Sequence, residues 1–354
     1  MSIRKKIKYK MGKVKDKLKE SADQRTDFGN FMRELYGYSK LFRFYFSPIK
    51  TMKVIHLQFT NYCNLNCKWC SFVNQKKKQF MSKKLLCRVF DEIIKNKNFN
   101  IQEINLWSAG EVLTHPDFIK MLRLMKSYKN KYPLRFPKIN LLTNVMLLTP
   151  KTSEEILKLE IIDWFGFSVD GGSKEECEKI GRGCKFETIQ NNIRDFQKIN
   201  KRKIKTTINC LNPLNYQLGT SWMSSEFKEL FNLVDEYKLN YPLNNGTEFN
   251  GTELIMEYPP NFKFYKTGKR ICVALLQGMV VIQNGDVLPC CADFNGNYPI
   301  GNLYKQSLSE ICTGTIRRKM VLDLFKGKKR QIPLCKNCNR YEVPYKIYKQ
   351  VVKK

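Results

Sequence analysis

Residues 54–70 read VIHLQFTNYCNLNCKWC. The first seven are apolar and β-branched enough for a strand, and the next ten turn polar while carrying Cys63, Cys67 and Cys70 with three and then two residues between them. The same change of character recurs downstream. Apolar runs INLWS at 104–108, KINLLTN at 138–144, WFGFSVD at 164–170 and KTTINCL at 205–211 alternate with helix-like stretches at 82–95, 116–128, 152–159 and 186–199. Strands alternating with helices predict successive βα units, an α/β fold on a parallel sheet that can curl into a barrel.

The cysteine loop follows the first of these strands, at the carboxyl end where βα folds place their chemistry. Three thiolates on one short loop can converge. A four-iron cubane held by three of them keeps one iron open to a small molecule, whereas a fourth would close it. The competing reading is three buried core cysteines, against which the polar neighbours Asn61, Asn64, Asn66 and Lys68 argue.

Composition narrows the chemistry. The chain has 354 residues, 13 cysteines and only two histidines, His56 and His115, so any metal here relies mainly on thiolate. Soft thiolates select zinc or iron-sulfur clusters over oxygen-loving ions. An odd cysteine count with no export signal argues against a disulfide framework. The longest uncharged stretch in the suggestive region, 272–285, has 14 residues, too few for a membrane span. A cytoplasmic protein is expected. The net charge of +31 comes from lysines spread along the chain, many beside asparagines, which reads as a solvated surface; no specific nucleic-acid partner is expected.

Residues 1–50 form a basic leader in which Ile3, Ile7, Met11, Val14 and Leu18 make one face of an amphipathic helix. Under its dense lysines, residues 1–20 could rest on an anionic membrane surface or pack on the barrel. The barrel domain is placed at 51–262. A cluster of Pro, Asn and Gly at 239–262 marks a crossing loop. A second domain at 263–341 begins with MVVIQNGDVLPC at 279–290, two strands around Asn284-Gly285, and continues with a helix near 307–325; residues 342–354 are a basic tail. This domain holds Cys272, Cys290, Cys335 and Cys338, four thiols that can close a tetrahedral zinc site or a cubane. Cys87, Cys177, Cys184, Cys210, Cys291 and Cys312 read as small core residues, with Cys291 adjoining a ligand and able to replace it. His115-Pro116-Asp117 reads as a helix cap.

The three-cysteine spacing, with Trp69 just before the last ligand, resembles the signature of the radical S-adenosylmethionine (SAM) superfamily, over most of residues 53–341. Ala109-Gly110-Glu111 resembles the Gly-Gly-Glu segment whose backbone binds the SAM amine in that family. Thr143-Asn144 and Ser168-Val169-Asp170-Gly171 resemble two strand ends, and Arg182 matches a family arginine; Ser168 and Arg182 would contact the SAM ribose or carboxylate. The departures are Ala109, Val112 and Val145. The C-terminal cysteines resemble the short form of a SPASM or twitch domain. What the resemblance implies is a partial (β/α)6 TIM-like barrel, a SAM-binding 4Fe-4S cluster, a second, auxiliary 4Fe-4S cluster, and reductive cleavage of SAM to a 5′-deoxyadenosyl radical. An external one-electron reductant such as flavodoxin or ferredoxin is then required. A sugar, aminocyclitol or other small substrate, oxidised overall, is expected, with a peptide as the alternative and a cysteine-metal module on nucleic acid or membrane as the reading from another class. Asp293 is the candidate general base, an exposed loop carboxylate being its bland explanation.

Overall fold

The computed structural model describes residues 39, 41–67, 70, 72, 77–211, 220–240, 272–336, 338 and 351–353. The expected amphipathic stripe of the leader, Trp69 and most of the 239–262 crossing loop lie outside the described residues.

Six strands run parallel in chain order: β1 (Val54–Leu57), β2 (Glu103–Leu106), β3 (Lys138–Thr143), β4 (Trp164–Ser168), β5 (Lys205–Leu211) and β6 (Glu236–Asn240). Helices α1 (Lys83–Lys95), α2 (Phe118–Lys131), α3 (Pro150–Lys158), α4 (Lys174–Ile180), α5 (Phe186–Asn200) and α6 (Ser225–Asn232) fill the crossovers. The sheet is an open, partial barrel of the expected (β/α)6 kind. Helix starts follow local chemistry. Ser82, Thr149, Ser173 and Ser224 each accept a hydrogen bond from a backbone N–H in the first turn of the helix they precede, worth about 1 kcal/mol apiece. Asp117 precedes α2 without a capping side-chain bond. His115 does not cap it either: its buried Nδ1 accepts from the N–H of Asp117 itself at 3.1 Å, which shapes the turn ahead of the helix.

Side chains alternate across each strand. Ile55, Leu57, Ile104, Leu106, Phe165 and Phe167 face the helices and are fully buried in the main core. Phe165 meets Phe196 of α5 with ring centroids 4.4 Å apart. His56, Asn105, Asn140, Trp164, Thr207 and Lys238 occupy the opposite, inner face of the barrel.

The C-terminal region is joined to the barrel more closely than its hairpin suggests. Strand β7 (Gly278–Val281) pairs in parallel with β1, and β8 (Asp286–Leu288) and β9 (Gly301–Asn302) continue the same sheet antiparallel. The helix expected near 307–325 is two helices, α8 (Leu308–Thr313) and α9 (Thr315–Phe325), divided at Gly314. A short helix α7 (Val273–Gln277) follows Cys272, and the fully buried Arg317 of α9 donates to the carbonyls of Leu275, Leu276 and Cys312. Strand β10 (Val351–Lys353) lies antiparallel on β6. No described helix is long and apolar enough to cross a membrane.

Candidate functional site

The cysteine loop leaves the end of β1 and is closed at its base by one side chain. Asn61 Oδ1 accepts from Gln79 N–H at 2.7 Å and its Nδ2 donates to Lys77 C=O at 3.1 Å. The other asparagines named from the sequence also hold the loop. Asn64 Oδ1 accepts from Asn144 Nδ2 at 2.9 Å, and Asn66 N–H donates to Arg182 C=O at 3.1 Å. Cys63 Sγ faces Leu65 N–H at 3.4 Å and Asn144 Nδ2 at 3.7 Å, and Cys70 N–H donates to Cys67 C=O. Cys63 and Cys67 are half-buried and Cys70 is exposed, so they are not three buried core residues. Burial pushes the Cys63 thiol up to about 12 and raises that of Cys67, with neighbouring thiols adding to both. Thiols raised in this way lose their protons on metal binding. Among the described residues no three His, Cys, Asp or Glu side chains converge on a single ion. The all-thiol set, with N–H donors on one sulfur, fits a cluster whose corners are bound separately better than a lone cation.

Beside this loop, Gly110 has φ +77°, and a Cβ there would stand 2.8 Å from the carbonyl oxygens of Thr60 and Tyr62. Only glycine lets the backbone come this close. Ala109, in place of the first family glycine, is accommodated, its N–H reaching Gln58 Oε1 at 3.4 Å. Glu111 is buried and points inward, accepting from Leu113 N–H, the Thr143 hydroxyl and Asn144 N–H at 2.8–3.0 Å. Its side chain therefore ties the β2 loop to the end of β3. Val145, where the family pattern has glycine, takes φ +72°.

Ser168 ends β4 in register with Asn209 of β5. Asp170 is half-buried behind it, its carboxyl pushed up to about 6 by desolvation while it accepts from Leu211 N–H. Arg182 is exposed, and the structure ties its backbone to the cysteine loop.

In the C-terminal region Cys272 and Cys338 lie near Cys335, whose thiol is pushed up to about 12 by desolvation first and then by charge repulsion from those two neighbours. Cys290 follows β8, with its Sγ 3.4 Å from Ala292 N–H. Asp293 is not an exposed loop carboxylate. It is fully buried, and its two oxygens accept from Asn297 and Tyr298 N–H at 2.9 and 2.8 Å, which organises the 293–298 turn. Cys177, Cys184, Cys210 and Cys312 are buried, as expected of core residues.

The inner face of the barrel carries residues that motif reading passed over. Trp107 and Trp164 meet with centroids 5.6 Å apart, His56 stands edge-on to Trp107 at 5.9 Å, and Trp164 Nε1 donates to the Thr207 hydroxyl. Lys238 Nζ lies 5.4 Å from the Trp164 ring centroid. The signal was present in the strands, where each apolar residue facing the helices alternates with one of these.

Comparison with known proteins bears on this geometry. Residues 57–218 match the family model described as the radical SAM superfamily, and residues 272–339 match that of an iron-sulfur cluster-binding domain. A radical SAM cyclopropyl synthase, TigE, from Paramaledivibacter caminithermalis is 31% identical over 128 residues, covering 31% of this chain and 26% of that protein. An S-adenosyl-L-methionine-dependent 2-deoxy-scyllo-inosamine dehydrogenase from Niallia circulans is 42% identical over 67 residues, covering 18% of this chain and 26% of that protein. The matched segments thus span about a quarter of either relative. Among solved structures, BtrN in complex with AdoMet and 2-DOIA aligns with TM-score 0.51 and 20% identity over 85% of this chain and 98% of that one. SuiB of Streptococcus suis bound to S-adenosylmethionine aligns with TM-score 0.57 and 15% identity over 88% and 76%. At those identities the likeness is one of fold.

Proposed function

This chain belongs to the radical SAM superfamily, with a C-terminal SPASM-type iron-sulfur domain, and we propose that it oxidises a sugar, aminocyclitol or other small polar substrate inside its barrel. Its cofactors are a 4Fe-4S cluster, SAM and an auxiliary iron-sulfur cluster. In this reading Cys63, Cys67 and Cys70 hold the SAM-binding cluster, and Cys272, Cys290, Cys335 and Cys338 hold the auxiliary one. The observation that carries it is the placement of the cysteine loop: Asn61 clamps its base, and it stands at the carboxyl ends of strands whose inner faces are polar and aromatic.

When bound, the clusters supply electron transfer, one electron to SAM to release a carbon radical and one taken from the substrate. The residues of the chain do the rest. Asn61, Asn64 and Asn144 fix the loop, and Asn144 Nδ2 and Leu65 N–H direct hydrogen bonds at Cys63 sulfur. Ala109 and Gly110 present backbone to the SAM amine, held there by the Glu111 carboxylate. Ser168 and Arg182 would face the SAM ribose or carboxylate, and the family resemblance assigns Trp69 to the cofactor site. The barrel wall would shield the bound cofactor and substrate from water. Asp293, with both oxygens committed to backbone N–H groups, is assigned to the turn and not to proton transfer.

The short 42% match to a dehydrogenase supports oxidation of a small carbinol. The longer 31% match to a cyclopropyl synthase supports a second reading, in which the substrate is a peptide and the outcome a new bond. Anaerobic reconstitution followed by a reductant-dependent SAM cleavage assay tests the class. About eight irons per chain and 5′-deoxyadenosine formation are expected; zinc in place of iron, or no cleavage, would return the chain to a structural metal module.

A further inference from the structure

The carboxyl-end tier of the inner barrel face reads Ser168, Asn209, Lys238 across β4, β5 and β6, because these three residues are in register on successive parallel strands. Side chains in register on a parallel sheet point to the same side. That side is away from the helices, since the alternate residues Phe167, Cys210 and Leu239 are buried in the main core. At roughly 4.8 Å per strand, Lys238 stands about 10 Å from Ser168 across the sheet.

Two features of this tier are unspent. Asn209 Nδ2 is buried with no hydrogen-bond partner among the described residues. A buried amide left without a partner costs about 1–3 kcal/mol. Half-buried Lys238 has no carboxylate within ion-pairing distance among the described residues, although Glu236, two residues earlier on the same face, pairs with Lys205 at 2.6 Å. The Lys238 ammonium instead sits 5.4 Å from the Trp164 ring centroid. The six-membered ring of the Trp164 indole lies over Gly166, where any Cβ would collide with it. Trp107 adds a second indole, tilted 55° to the first.

An apolar ring face, an amide donor and a lone cation form one set. From it we propose, building on the function above, that Lys238 and Asn209 are a substrate subsite for an anionic group on a polyhydroxylated ring, with Trp164 and Trp107 as the surface on which the ring stacks. Phosphate and carboxylate both satisfy this chemistry. Ser168 stays with SAM, two strands away, so that Lys238 marks the substrate side of the lumen. The subsite selects the substrate by its charge; the reaction remains that of the SAM-derived radical.

The test is anaerobic titration calorimetry of the reconstituted full chain with glucose, glucose 6-phosphate and glucuronate as probes. The expected result is binding of one or both charged sugars at least about tenfold tighter than glucose. Lys238→Met should erase that margin and Lys238→Arg keep it. Asn209→Ala should narrow it, since the amide donor to the anion is then lost. Lys151→Met, on the exposed side of α3, should change nothing. Iron content and far-ultraviolet dichroism report whether each variant is folded. The proposal is overturned if the wild type binds the neutral and charged sugars equally, or if Lys238→Met keeps the margin. It is also overturned if Lys238→Met weakens SAM binding while leaving the sugar margin intact, which would give the cation to the SAM carboxylate. SAM cleavage by the wild type is measured alongside: absent cleavage with an intact sugar margin would reject the proposed function and leave the subsite standing.

Discussion

The backbone N–H of Asn144 donates to Oε2 of Glu111 at 2.8 Å, joining the end of β3 to the loop that follows β2. The same carboxylate takes the Thr143 hydroxyl and Leu113 N–H on Oε1. Asn144 in turn reaches Asn64 and Cys63 of the cysteine loop. One buried acid thus sets the relative position of two segments assigned to the cofactors.

Glu111→Gln should therefore act at a distance from any ligand. An amide NH2 would replace an acceptor and confront a backbone or hydroxyl donor, leaving a buried polar group unsatisfied. A loss of about 1–3 kcal/mol in unfolding free energy is expected, together with weaker SAM binding. Chemical denaturation and calorimetry read the two effects; unchanged stability would show that the bonds to Glu111 are dispensable.

Cys63, Cys67 and Cys70, replaced together by Ala, should remove about four of the expected irons and abolish 5′-deoxyadenosine formation while the other cluster stays. Undiminished cleavage by this triple variant would sink the assignment.

Cys335→Ala separates two roles for the C-terminal site. An electron acceptor should lose substrate oxidation yet keep SAM cleavage in a soluble, folded protein. A structural site should lose folding and both activities together. Iron analysis, melting and product assays on one preparation distinguish them.

Asp170 predicts a pH dependence of stability. Its carboxyl is raised to about 6 in the folded chain, above roughly 3.9 when unfolded. The folded state thus binds the extra proton between those values. The group's stabilising contribution is fully present below about pH 4 and is lost as pH rises through about 6, a total of about 3 kcal/mol with roughly half falling between pH 5 and 8. Asp170→Asn keeps an acceptor for Leu211 N–H and removes the titration. Relative to wild type it should gain stability as pH rises from 5 to 8, measured by anaerobic thermal melting. A constant difference between the two proteins would refute the raised carboxyl.

Gly166→Ala should disturb the inner face without touching the cysteines. The new methyl meets the Trp164 indole and Leu142, and overpacking of this kind costs about 1–3 kcal/mol. Near-ultraviolet dichroism should report the displaced indole.

The βα order was legible in the residues alone, because apolar strands and amphipathic helices announce themselves by period, and so was the cysteine loop, because three thiols among asparagines at the end of a strand have few other readings. The family match at Ala109-Gly110-Glu111 was legible too, though not the task of the Glu111 side chain. That depended on Thr143 and Asn144 arriving from a different strand, a contact 32 and 33 residues distant in the chain. Burial of Asp293 was hidden for the same reason: a loop carboxylate looks exposed until its own turn folds over it. Strand β7 reads as half of a local hairpin, and only the tertiary structure pairs it with β1, more than two hundred residues earlier. The Ser168, Asn209, Lys238 tier was invisible in sequence, since register between parallel strands is set by how the intervening helices pack and not by any spacing along the chain.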